Sequence, residues 1–518
     1  MKSDVLIIGG GMAAAWAAIA AAEAGAGVIV VDKGYLGTSG VTATGGPNHW
    51  WVGPDKAQRE EAIARQSAKS LGLGDPEWMA RILDITFRHL PDLAPYYPFG
   101  SDGRGGTYFS GVRGPEYMRA LRLFALARGV TILDHHPALE LTADSGGRIT
   151  GARGHALRLD EPWEITAGAT ILATGGNAFR SGLLGSHLNT GDGFLMAAEA
   201  GAKLSGLEFG PSWSHSPTWA STRTLPYTGA RYYDEAGREL DLPPIRQSHA
   251  HHQALAAALL QGPVLADLCD APSELPPILR RIQPFTPAPF ERRGIDLFKD
   301  RWPIRLWGEG TIRGVGGIDI VDADCRTGVA GLFAVGDAAT RELVAGANSG
   351  GGAVNSAWAL SSGRIAGAAA AAEARLHLGL APSHGLGRYG LHPSGEVRDF
   401  DLRAINAATG DHVHGYERAL WRDEATLHDS EEQLSRCWRD LSSHAHARGR
   451  ELVALRETFA MLATARWSAA AARHRRESRG LHQREDYRAA VSQGPTRLLT
   501  SGFDAVQVEA TRPELEPA

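Results

Sequence analysis

The sequence predicts an α/β protein built on a parallel sheet, with an inserted α+β segment and a helical C-terminal region. Three observations support this fold class. The chain opens with an apolar strand, a glycine turn and an alanine-rich helix; two further apolar strands end in glycines much later; and residues 396–490 are charged and helical in pattern. A strand, a helix and a second strand in succession indicate parallel pairing, because a crossover helix joins parallel neighbours. The 518 residues suffice for two or three domains.

The N-terminal unit begins with an apolar run over residues 4–8, which is typical of a strand buried on both faces. Glycines at 9–11 turn the chain into the alanine-rich helix, and Gly25 ends that helix. A second apolar run over residues 28–31 leads to Asp32. We therefore predict one βαβ unit at the start of the sheet.

The glycine turn of this unit has the pattern Gly9-x-Gly11-x-x-Ala14, and Asp32 follows Gly11 by 21 residues. Glycines permit a tight turn and the close approach of a pyrophosphate, which the free N–H groups of the next helix attract. Ala14 replaces a third glycine whose position only has to be small. Asp32 is placed to accept a hydrogen bond from a ribose hydroxyl. The motif favours dinucleotide binding over an ordinary glycine-rich turn.

The middle of the chain supplies two more glycine-rich strand ends. The strand predicted over 169–173 runs into Thr174-Gly175-Gly176, and the strand predicted over 331–337 ends in Gly336-Asp337. Three such ends, each more than a hundred residues from the next, suit an extended FAD, whereas NAD needs chiefly the first. The other predicted elements before residue 160 are helices over 56–71, 75–93 and 115–128 and strands over 130–134, 138–143 and 148–158.

Domain boundaries follow from changes in composition. Proline rises, Trp and Tyr cluster and periodicity weakens over residues 211–305, which we interpret as an inserted cap or substrate domain. A helix is predicted over 353–375, and a stretch rich in Gly, Pro and His over 379–395 is typical of a linker. The predicted domains are an FAD-binding domain over 1–210 and 306–380, the cap over 211–305, and a C-terminal helical domain over 396–518.

Composition excludes several function classes. A net charge of −5 and no block of like charge argue against nucleic-acid binding. The three cysteines, Cys269, Cys325 and Cys437, are too scattered for a zinc site, an iron–sulfur cluster or a disulfide framework. The alanine-rich stretch near the N-terminus is too short to span a bilayer, and a strand begins within four residues of Met1, which argues against a signal peptide. We therefore expect a cytoplasmic protein.

Matching stretches now identify a family. The chain resembles the flavoprotein family of fumarate reductase, succinate dehydrogenase and L-aspartate oxidase, with adenylylsulfate reductase flavoproteins as more distant members. The stretches that carry the resemblance are residues 4–33, 39–46 (Ser-Gly-Val-Thr-Ala-Thr-Gly-Gly), 169–176, 190–193 with Glu208-Phe209, 316–318, 331–337, 346–348, and 476–482 (Arg-Glu-Ser-Arg-Gly-Leu-His). Together they span most of the chain, and the cap matches poorly.

The resemblance implies a Rossmann-like FAD-binding domain with an inserted α+β cap and a C-terminal helical domain. It places the FAD along the sheet and the flavin ring between the FAD domain and the cap, with the helix that begins near Ala353 pointing its N-terminus at the pyrimidine carbonyl. That helix dipole stabilises the negative charge of reduced flavin. The expected cofactor contacts are Gly9, Gly11, Met12, Ala13, Ala14, Asp32, Lys33, Thr38, Ser39, Thr44, Gly45, Gly46, Ala138, Thr174, Gly175, Asn177, Thr190, Asp192, Gly336, Asp337, Ser349, Gly352, Ala353 and Val354.

The chain departs from the family where members that act on fumarate, succinate or aspartate hold two carboxylates. Those members carry a His-Pro-Thr after Glu-Phe, a His before Gly-Gly-Ile and an Arg after Gly-Ala-Asn. Here the first histidine is displaced to His215, the second position offers only Arg313, and Ser349 replaces the arginine. Losing that arginine removes a bidentate carboxylate clamp. The stretch 39–46 also lacks the histidine that the family uses for covalent attachment, so we expect non-covalent FAD.

The replacement catalytic residues that the sequence offers are Arg313, Arg341 and His215. Arg341 follows Asp337 closely and could polarise a substrate carbonyl or stabilise a hydride acceptor, but with Glu342 it could equally form a surface pair. Arg313 could instead form a structural salt bridge, and His215 could be an ordinary loop histidine. A group of aromatic residues could line the flavin ring or simply pack in the cap: Trp213, Trp219, Tyr227, Tyr232 and Tyr233.

One further cluster invites a metal interpretation. His249, His251 and His252 lie close together, but neighbouring positions on a helix point in different directions and no acidic or thiol ligand completes the set. We therefore expect a solvated helix face and no metal.

The sequence thus predicts an FAD-dependent oxidoreductase that transfers a hydride between a small-molecule substrate and flavin N5, and argues against a C4-dicarboxylate. The alternative is a flavin-bearing electron-transfer subunit that works with an iron–sulfur partner, as an adenylylsulfate reductase would. The electron partner is dioxygen, a quinone or a carrier protein such as a ferredoxin, and the sequence leaves homo-oligomerisation open.

Overall fold

The computed structural model describes residues 1–511 except 104, 222–226, 247, 283–285, 378–382, 393–395 and 489–495. Its strands are β1 (Lys2–Ile8), β2 (Val28–Asp32), β3 (Gly100–Ser101), β4 (Thr107–Tyr108), β5 (Thr131–Asp134), β6 (Ala138–Ala143), β7 (Ile149–Ala156), β8 (Glu161–Leu172), β9 (Leu204–Ser205), β10 (Trp213–Pro217), β11 (Arg231–Tyr233), β12 (Val264–Asp267), β13 (Trp302–Gly308), β14 (Gly317–Ile318), β15 (Leu332–Ala334), β16 (His384–Gly385), β17 (Leu498–Ser501) and β18 (Gln507–Ala510).

The helices belong to three groups along the chain. They are α1 (Met12–Glu23), α2 (Lys56–Lys69), α3 (Pro76–His89), α4 (Gly114–Ala127), α5 (Asp192–Glu199), α6 (Ser248–Gln261), α7 (Leu275–Ile282), α8 (Ala288–Glu291), α9 (Glu342–Ala345), α10 (Gly352–Arg375), α11 (Leu402–His414), α12 (Tyr416–Leu420), α13 (Glu424–His444) and α14 (Gly449–His474).

The main sheet has the strand order β16-β6-β7-β8-β1-β2-β5, and β15 pairs with β8 beside this path. Strands β5, β2, β1, β8 and β15 run parallel, as the N-terminal βαβ unit predicts. β8 is long enough to serve two partners, because its first half pairs antiparallel with β7 and its second half parallel with β1. The parallel strands therefore end together at one edge of the sheet.

Helices α1 and α10 pack against each other on one face of this sheet. Two glycines of α10 make the close approach possible: a Cβ on Gly363 would lie 2.6 Å from the carbonyl oxygen of Ala13, and one on Gly367 would lie 2.3 Å from that of Ala17. Small alanines dominate the facing side of α1 for the same reason. This contact ties the middle of α10 to the first half of α1.

The segment inserted after residue 210 forms a separate antiparallel sheet, β10-β13-β12-β11, covered by α6. It has its own hydrophobic core, which includes Leu255, Phe290, Trp302 and Ile304. Strand β13 continues to Gly308, a few residues beyond the predicted end of the cap at 305. The change in composition at 211 therefore coincides with a change of sheet.

The C-terminal helices α11–α14 lie against both other parts of the molecule. The longest, α14, carries Arg456, which forms a buried ion pair of 2.5 Å with Glu199 of α5. Part of the predicted linker at 379–395 and residues 489–495 and 512–518 of the predicted C-terminal domain lie outside the described residues. Over the described part of the chain, no helix has the length and apolar character needed to cross a membrane.

Two sequence predictions need correction at this level. The strand predicted over 331–337 is only Leu332–Ala334, because Gly336 adopts a positive φ of 59° and starts a short 3-10 turn. Residues 476–482 lie beyond α14 in an irregular segment. Arg475, just before this segment, pairs with Glu208 and Glu477, and Arg479 within it pairs with Glu477.

Candidate functional site

A cleft opens where the parallel strands end. The residues that follow β1, β2, β8 and β15 all contribute to its wall. Ligands of open parallel sheets bind at the carboxyl ends of the strands, so the cleft stands where the sequence predicts the cofactor.

The turn after β1 is shaped for close approach of a ligand. Gly9 has φ +124°, and a Cβ there would lie 2.2 Å from the carbonyl oxygen of Ala173. A Cβ on Gly11 would meet nothing within 4 Å, so this side of the turn faces open space. Gly11 is also the N-cap of α1 and provides no side-chain cap. The first N–H groups of α1 are therefore available to an anion.

Asp32 stands at the end of β2 as predicted and is buried. It accepts a hydrogen bond of 2.5 Å from the Ser39 hydroxyl, and a Cβ on Gly10 would lie 2.3 Å from its Oδ2. Burial raises the pKa of Asp32, while the hydrogen bond from Ser39 lowers it. The carboxyl group is thus held in one orientation at the cleft wall.

Lys33 joins this region to distant parts of the chain. Its ammonium contacts Asp192 at 2.7 Å, Glu457 at 2.6 Å and the Thr190 hydroxyl at 2.7 Å. Burial alone would lower the pKa of Lys33, but Asp192 and Glu457 outweigh it and raise that pKa. The lysine therefore stays charged and fixes Asp192 at the cleft.

The turn after β15 is attached to the beginning of α10. Asp337 accepts from the amide of Asn355 at 3.2 Å, and the indole of Trp358 donates to the carbonyl of Gly336 at 2.9 Å. The N-cap of α10 is Gly351, again without a side-chain cap. A second uncapped helix N-terminus thus lies near the cleft, at the end where the resemblance implies the flavin ring.

The structure brings about half of the predicted cofactor contacts to the cleft wall. These are Gly9, Gly11, Met12, Ala13, Asp32, Lys33, Ser39, Ala138, Thr174, Gly175, Asp192, Gly336 and Asp337. The others are not part of the wall: Ala14, Thr38, Thr44, Gly45, Gly46, Asn177, Thr190, Ser349, Gly352, Ala353 and Val354. Several of these residues form local hydrogen bonds instead. For example, the backbone carbonyl of Asn177 accepts a hydrogen bond from the N–H of Thr311.

Sequence reasoning missed the part of α10 that faces the cleft. Asn355, Ser356 and Ala359 line the wall, one turn later than the predicted Gly352, Ala353 and Val354. The signal was present, because residues four apart share one helix face and 355 and 359 form such a pair. Other unpredicted wall residues are Ile8, Gly10, Val31, Gly40, Val41, Thr42, Pro137, Ala173, Leu188, Asn189, Met196 and Val335.

Arg341 is fully buried behind the beginning of α10, so it forms no surface pair with Glu342, which is also buried. Its Nη1 contacts Asp337 at 3.0 Å, the carbonyl of Ile312 at 2.8 Å and Asn355 at 3.2 Å. Burial lowers the pKa of Arg341, and Asp337 partly counters this. A side chain without exposed surface cannot touch a substrate in this conformation, so the geometry favours a positioning role.

Arg313 lies close to the same helix end but is partly exposed. Its side chain forms an ion pair of 3.3 Å with Glu309, and its Nη1 is 3.5 Å from the Ser214 hydroxyl. A Cβ on Gly351 would lie 2.9 Å from its Cδ, so the guanidinium stem covers the N-cap of α10. Of the three candidate catalytic residues, Arg313 is the one that faces outward beside the cleft. Glu309 was missed in the sequence.

His215 lies elsewhere, inside the cap. Its Nε2 is 2.9 Å from Nε2 of His251, and its ring packs near Tyr227, Tyr232 and His252. Because neighbouring strand residues face opposite ways, Ser214 points to Glu309 while His215 points into the cap core. The structure does not bring His215 to Arg313.

One further sequence expectation is corrected in the cap. His251 and His252 are buried against His215 and do not form a solvated face. Among the described residues, no group of metal-binding side chains has the geometry to hold an ion. Of the two alternatives for the aromatic residues, the structure has ordinary packing: Trp213 lies on Tyr416 of α12, Trp219 on Phe290, Tyr227 and Tyr232 around His215, and Tyr233 under Arg301.

Family models match most of the chain. The FAD-dependent oxidoreductase model matches residues 4–178, the FAD-binding-domain model residues 108–354, and the fumarate reductase flavoprotein C-terminal model residues 417–497. The matched segments contain the glycine turns of the cleft and the irregular segment after α14. They therefore cover both the cleft and the helical region that packs on it.

Relatives that align along almost the whole chain are likewise named as an oxidoreductase or an oxidase. An uncharacterized FAD-dependent oxidoreductase of Methanocaldococcus jannaschii is 26% identical over 550 residues, 97% of each chain. An L-aspartate oxidase of Mycobacterium tuberculosis is 28% identical over 573 residues, covering 98% of this chain and 97% of that protein.

Solved structures share the fold. The Escherichia coli quinol fumarate reductase flavoprotein superposes with a TM-score of 0.82 at 20% identity, covering 100% of this chain and 98% of that one. Adenylylsulfate reductase of Archaeoglobus fulgidus gives 0.72 at 17% identity, covering 98% and 95%. At these identities the likeness concerns architecture: a nucleotide-binding sheet, an inserted cap and C-terminal helices.

Proposed function

Because this chain belongs to the flavoprotein family of fumarate reductase, succinate dehydrogenase and L-aspartate oxidase and is an FAD-dependent oxidoreductase, we propose that it transfers a hydride between a small-molecule substrate and FAD held non-covalently in the cleft. FAD supplies the hydride-accepting and hydride-donating N5 atom when it is bound. The observation that carries the proposal is the cleft itself, with the uncapped N-terminus of α1 and a fixed aspartate on its wall and the uncapped N-terminus of α10 nearby.

The residues present fit an extended dinucleotide. The open side of Gly11 and the free N–H groups of α1 suit a pyrophosphate, and Asp32 suits a ribose hydroxyl. Asp192 and Asp337, both on the wall, suit further hydroxyl groups. The uncapped start of α10 would stabilise negative charge on the pyrimidine end of a reduced flavin.

Non-covalent binding is supported by what the cleft wall contains. Over the described residues, its lining includes no histidine, cysteine or tyrosine that could be joined to the flavin. The histidine nearest in sequence to the stretch 39–46 is His49, which is buried and pairs with the Tyr117 hydroxyl at 3.2 Å. FAD released intact when the protein is denatured by acid would support this proposal, and flavin that stays on the denatured chain would refute it.

We further propose that the substrate is not a C4-dicarboxylate. Two carboxylates in a dry site need several fixed cations, because a buried unpaired anion is expensive. Beside the start of α10 the described side chains offer Arg313, already paired with Glu309, and the buried Arg341, already paired with Asp337. Ser349 stands where the family has an arginine, and its hydroxyl is used to donate to the Arg313 carbonyl at 3.2 Å.

Anaerobic spectral titration tests the substrate proposal. We expect no bleaching of the flavin by millimolar succinate or aspartate, and no reoxidation of the reduced protein by fumarate. Turnover with any of these compounds at a rate usual for dedicated enzymes, roughly 1–10³ per second, would refute the proposal and indicate a C4-dicarboxylate substrate.

A second candidate function is an electron-transfer subunit that works with an iron–sulfur or other carrier protein. The paired state of Arg313 and Arg341 favours it, because such a subunit needs no cationic substrate site. The two candidates differ in one measurement. A substrate-using enzyme bleaches its own flavin with a small-molecule reductant, whereas a pure transfer subunit requires the partner protein.

A further inference from the structure

A buried carboxylate contacts Arg313, whose side chain lies at the start of α10. Glu309 follows β13 and has no exposed surface. Its backbone N–H donates to the carbonyl of Ser212 at 2.8 Å, which anchors the residue to the start of the cap. Gly310, with φ +53°, then turns the chain back toward the FAD domain. Glu309 is therefore fixed at the junction of the two domains.

The partners of this carboxylate are few and specific. Oε1 accepts the Ser214 hydroxyl and lies 3.3 Å from Nη1 of Arg313. Oε2 is buried and has no partner among the described residues. A buried carboxylate is stable only when paired, so Arg313 supplies the charge that Glu309 requires.

The geometry of Arg313 directs the pair toward the cleft. Its stem lies over Gly351, the N-cap of α10, and its carbonyl accepts from the N–H of Gly350 at 2.9 Å. About a third of its side chain is exposed (31%), whereas that of Glu309 is fully covered. A ligand beside the start of α10 therefore meets the guanidinium of Arg313, with Glu309 behind it.

The charges at this point cancel. Arg313 contributes one positive charge and Glu309 one negative charge. Arg341, the other nearby cation, is covered completely and paired with Asp337. Among the described side chains here, the positive charge is thus balanced before any ligand binds, and an incoming carboxylate would have to compete with Glu309 for the same guanidinium.

We propose that Glu309 determines substrate charge: by occupying Arg313 it selects a neutral, hydrogen-bonding substrate and rejects carboxylates. This inference rests on the proposed function, since it assumes that substrate binds beside the start of α10. Arg313 would then act as a neutralised hydrogen-bond donor. Glu309 is a positioning residue because it acts through Arg313.

The test uses the FAD-loaded protein, three variants and two small probes. Glu309→Gln keeps the shape but removes the charge, and the dissociation constants of acetate and acetamide are measured by perturbation of the flavin visible spectrum. We expect Glu309→Gln to bind acetate at least about tenfold more tightly than the parent, equivalent to roughly 1.4 kcal/mol, with acetamide unchanged. Arg313→Gln in addition to Glu309→Gln should abolish the gain. Glu235→Gln, an exposed cap residue, is the matched control and should change neither probe.

The outcomes separate this inference from the proposed function. Unchanged acetate binding in a Glu309→Gln protein that retains its FAD spectrum overturns the role of Glu309. If the Glu309→Gln variant does not fold, the Arg313→Gln variant is tested instead. This substitution leaves the negative charge of Glu309 without its partner, so we expect methylammonium to bind about tenfold more tightly than to the parent. Unchanged binding of methylammonium overturns the inference. A parent protein without FAD, or one reduced by succinate, contradicts the proposed function whatever the variants show.

Discussion

At the residue scale, the cleft depends on single side chains held by one or two bonds. Asp32 is the clearest, because the Ser39 hydroxyl and the packing of Gly10 fix its carboxyl group before any ligand arrives. Pre-orientation of this kind reduces the entropy lost on binding. The same residue is the one that the glycine motif predicts from spacing alone.

We expect Asp32→Ala to weaken FAD binding by about 1–3 kcal/mol, because a ribose hydroxyl would lose its acceptor in a buried site. The corresponding change in Kd is roughly 5- to 150-fold. Equilibrium dialysis of FAD against the apoprotein measures it. Asp55→Ala, which removes a carboxylate that caps α2 on the surface, should leave the affinity as it was. Equal affinity of the Asp32 variant and the parent would remove Asp32 from the binding site.

A second residue-scale feature is the buried histidine cluster of the cap. Burial lowers the pKa of His252 to about 3, with His251 and His249 adding to the effect, and burial also places the pKa of His215 well below its usual value. His251 donates from Nδ1 to the Pro243 carbonyl at 2.7 Å, so its Nε2 accepts from His215. The ring of His251 must therefore be neutral to accept this hydrogen bond.

This cluster predicts acid sensitivity. Between pH 6.5 and about 3, His252 is protonated in the unfolded chain but stays neutral in the folded protein. The free energy of unfolding therefore decreases as the pH falls through that window. The loss is about 1.4 kcal/mol per pH unit for each such histidine. Urea unfolding at pH 7 and pH 5 measures it. His252→Gln should reduce the slope, whereas His428→Gln on exposed α13 should not; equal slopes would contradict the role of the cluster.

At the element scale, the irregular segment after α14 supports the loop that leads into α10. Arg479 donates to the carbonyl of Leu71 at 2.7 Å, and the N–H of Leu481 donates to that of Ala347 at 2.9 Å. On its other side, the N–H of Ala347 donates to Ser70 at 3.1 Å. The family signature at 476–482 therefore holds the loop before α10 from behind.

Gly480→Ala should break this support. Gly480 has φ +57°, and a Cβ there would lie 2.1 Å from the carbonyl oxygen of Ala347. We expect a loss of unfolding free energy larger than the roughly 1–2 kcal/mol of left-handed strain alone, together with weaker FAD retention. Gly201→Ala is the matched control, since Gly201 has φ +92° and open space around it. Chemical unfolding of both variants checks this, and equal losses would show that the contact with Ala347 is unimportant.

At the scale of the whole molecule, ion pairs of low exposure join the FAD-binding part of the chain to the C-terminal part. Lys33 links the end of β2 to α5 and α14 through Asp192 and Glu457. Glu208 and Arg475 join the segment before the cap to the one after α14, at 2.7 Å. Removing one partner of such a pair leaves the other charge buried, which is why these contacts are sensitive to substitution.

Lys33→Met should lower the free energy of unfolding by about 3–5 kcal/mol, because Asp192 and Glu457 would keep their charges without the shared cation. It should also weaken FAD binding, since Asp192 lines the cleft. Thermal unfolding with and without added FAD measures both effects. Lys56→Met is the control: its side chain is 91% exposed, and its loss should change stability little. A Lys33 variant as stable as this control would show that the C-terminal helices are held by other contacts.

Much of the fold could be predicted from local patterns in the sequence. The βαβ unit, the cap insertion and the helices predicted over 56–71, 75–93, 115–128 and 353–375 all followed from hydrophobic period, glycine turns and composition. The structure has these helices at Lys56–Lys69, Pro76–His89, Gly114–Ala127 and Gly352–Arg375. The glycine turn and Asp32 were equally accessible, because their chemistry depends on spacing within one βαβ unit. Local pattern could not give the register of α10 against the cleft, whose wall includes Asn355, Ser356 and Ala359.

What the sequence by itself determined is therefore the nucleotide-binding sheet and the FAD motif, while the loss of the family's carboxylate-binding residues stays a prediction. Tertiary structure alone decided which distant side chains meet: Glu309 with Ser214, Lys33 with Glu457, and His215 with His251. The reason is physical. Motifs record interactions between residues close along the chain, whereas these pairs form only when separate sheets and helices pack, and burial then sets whether each group carries a charge.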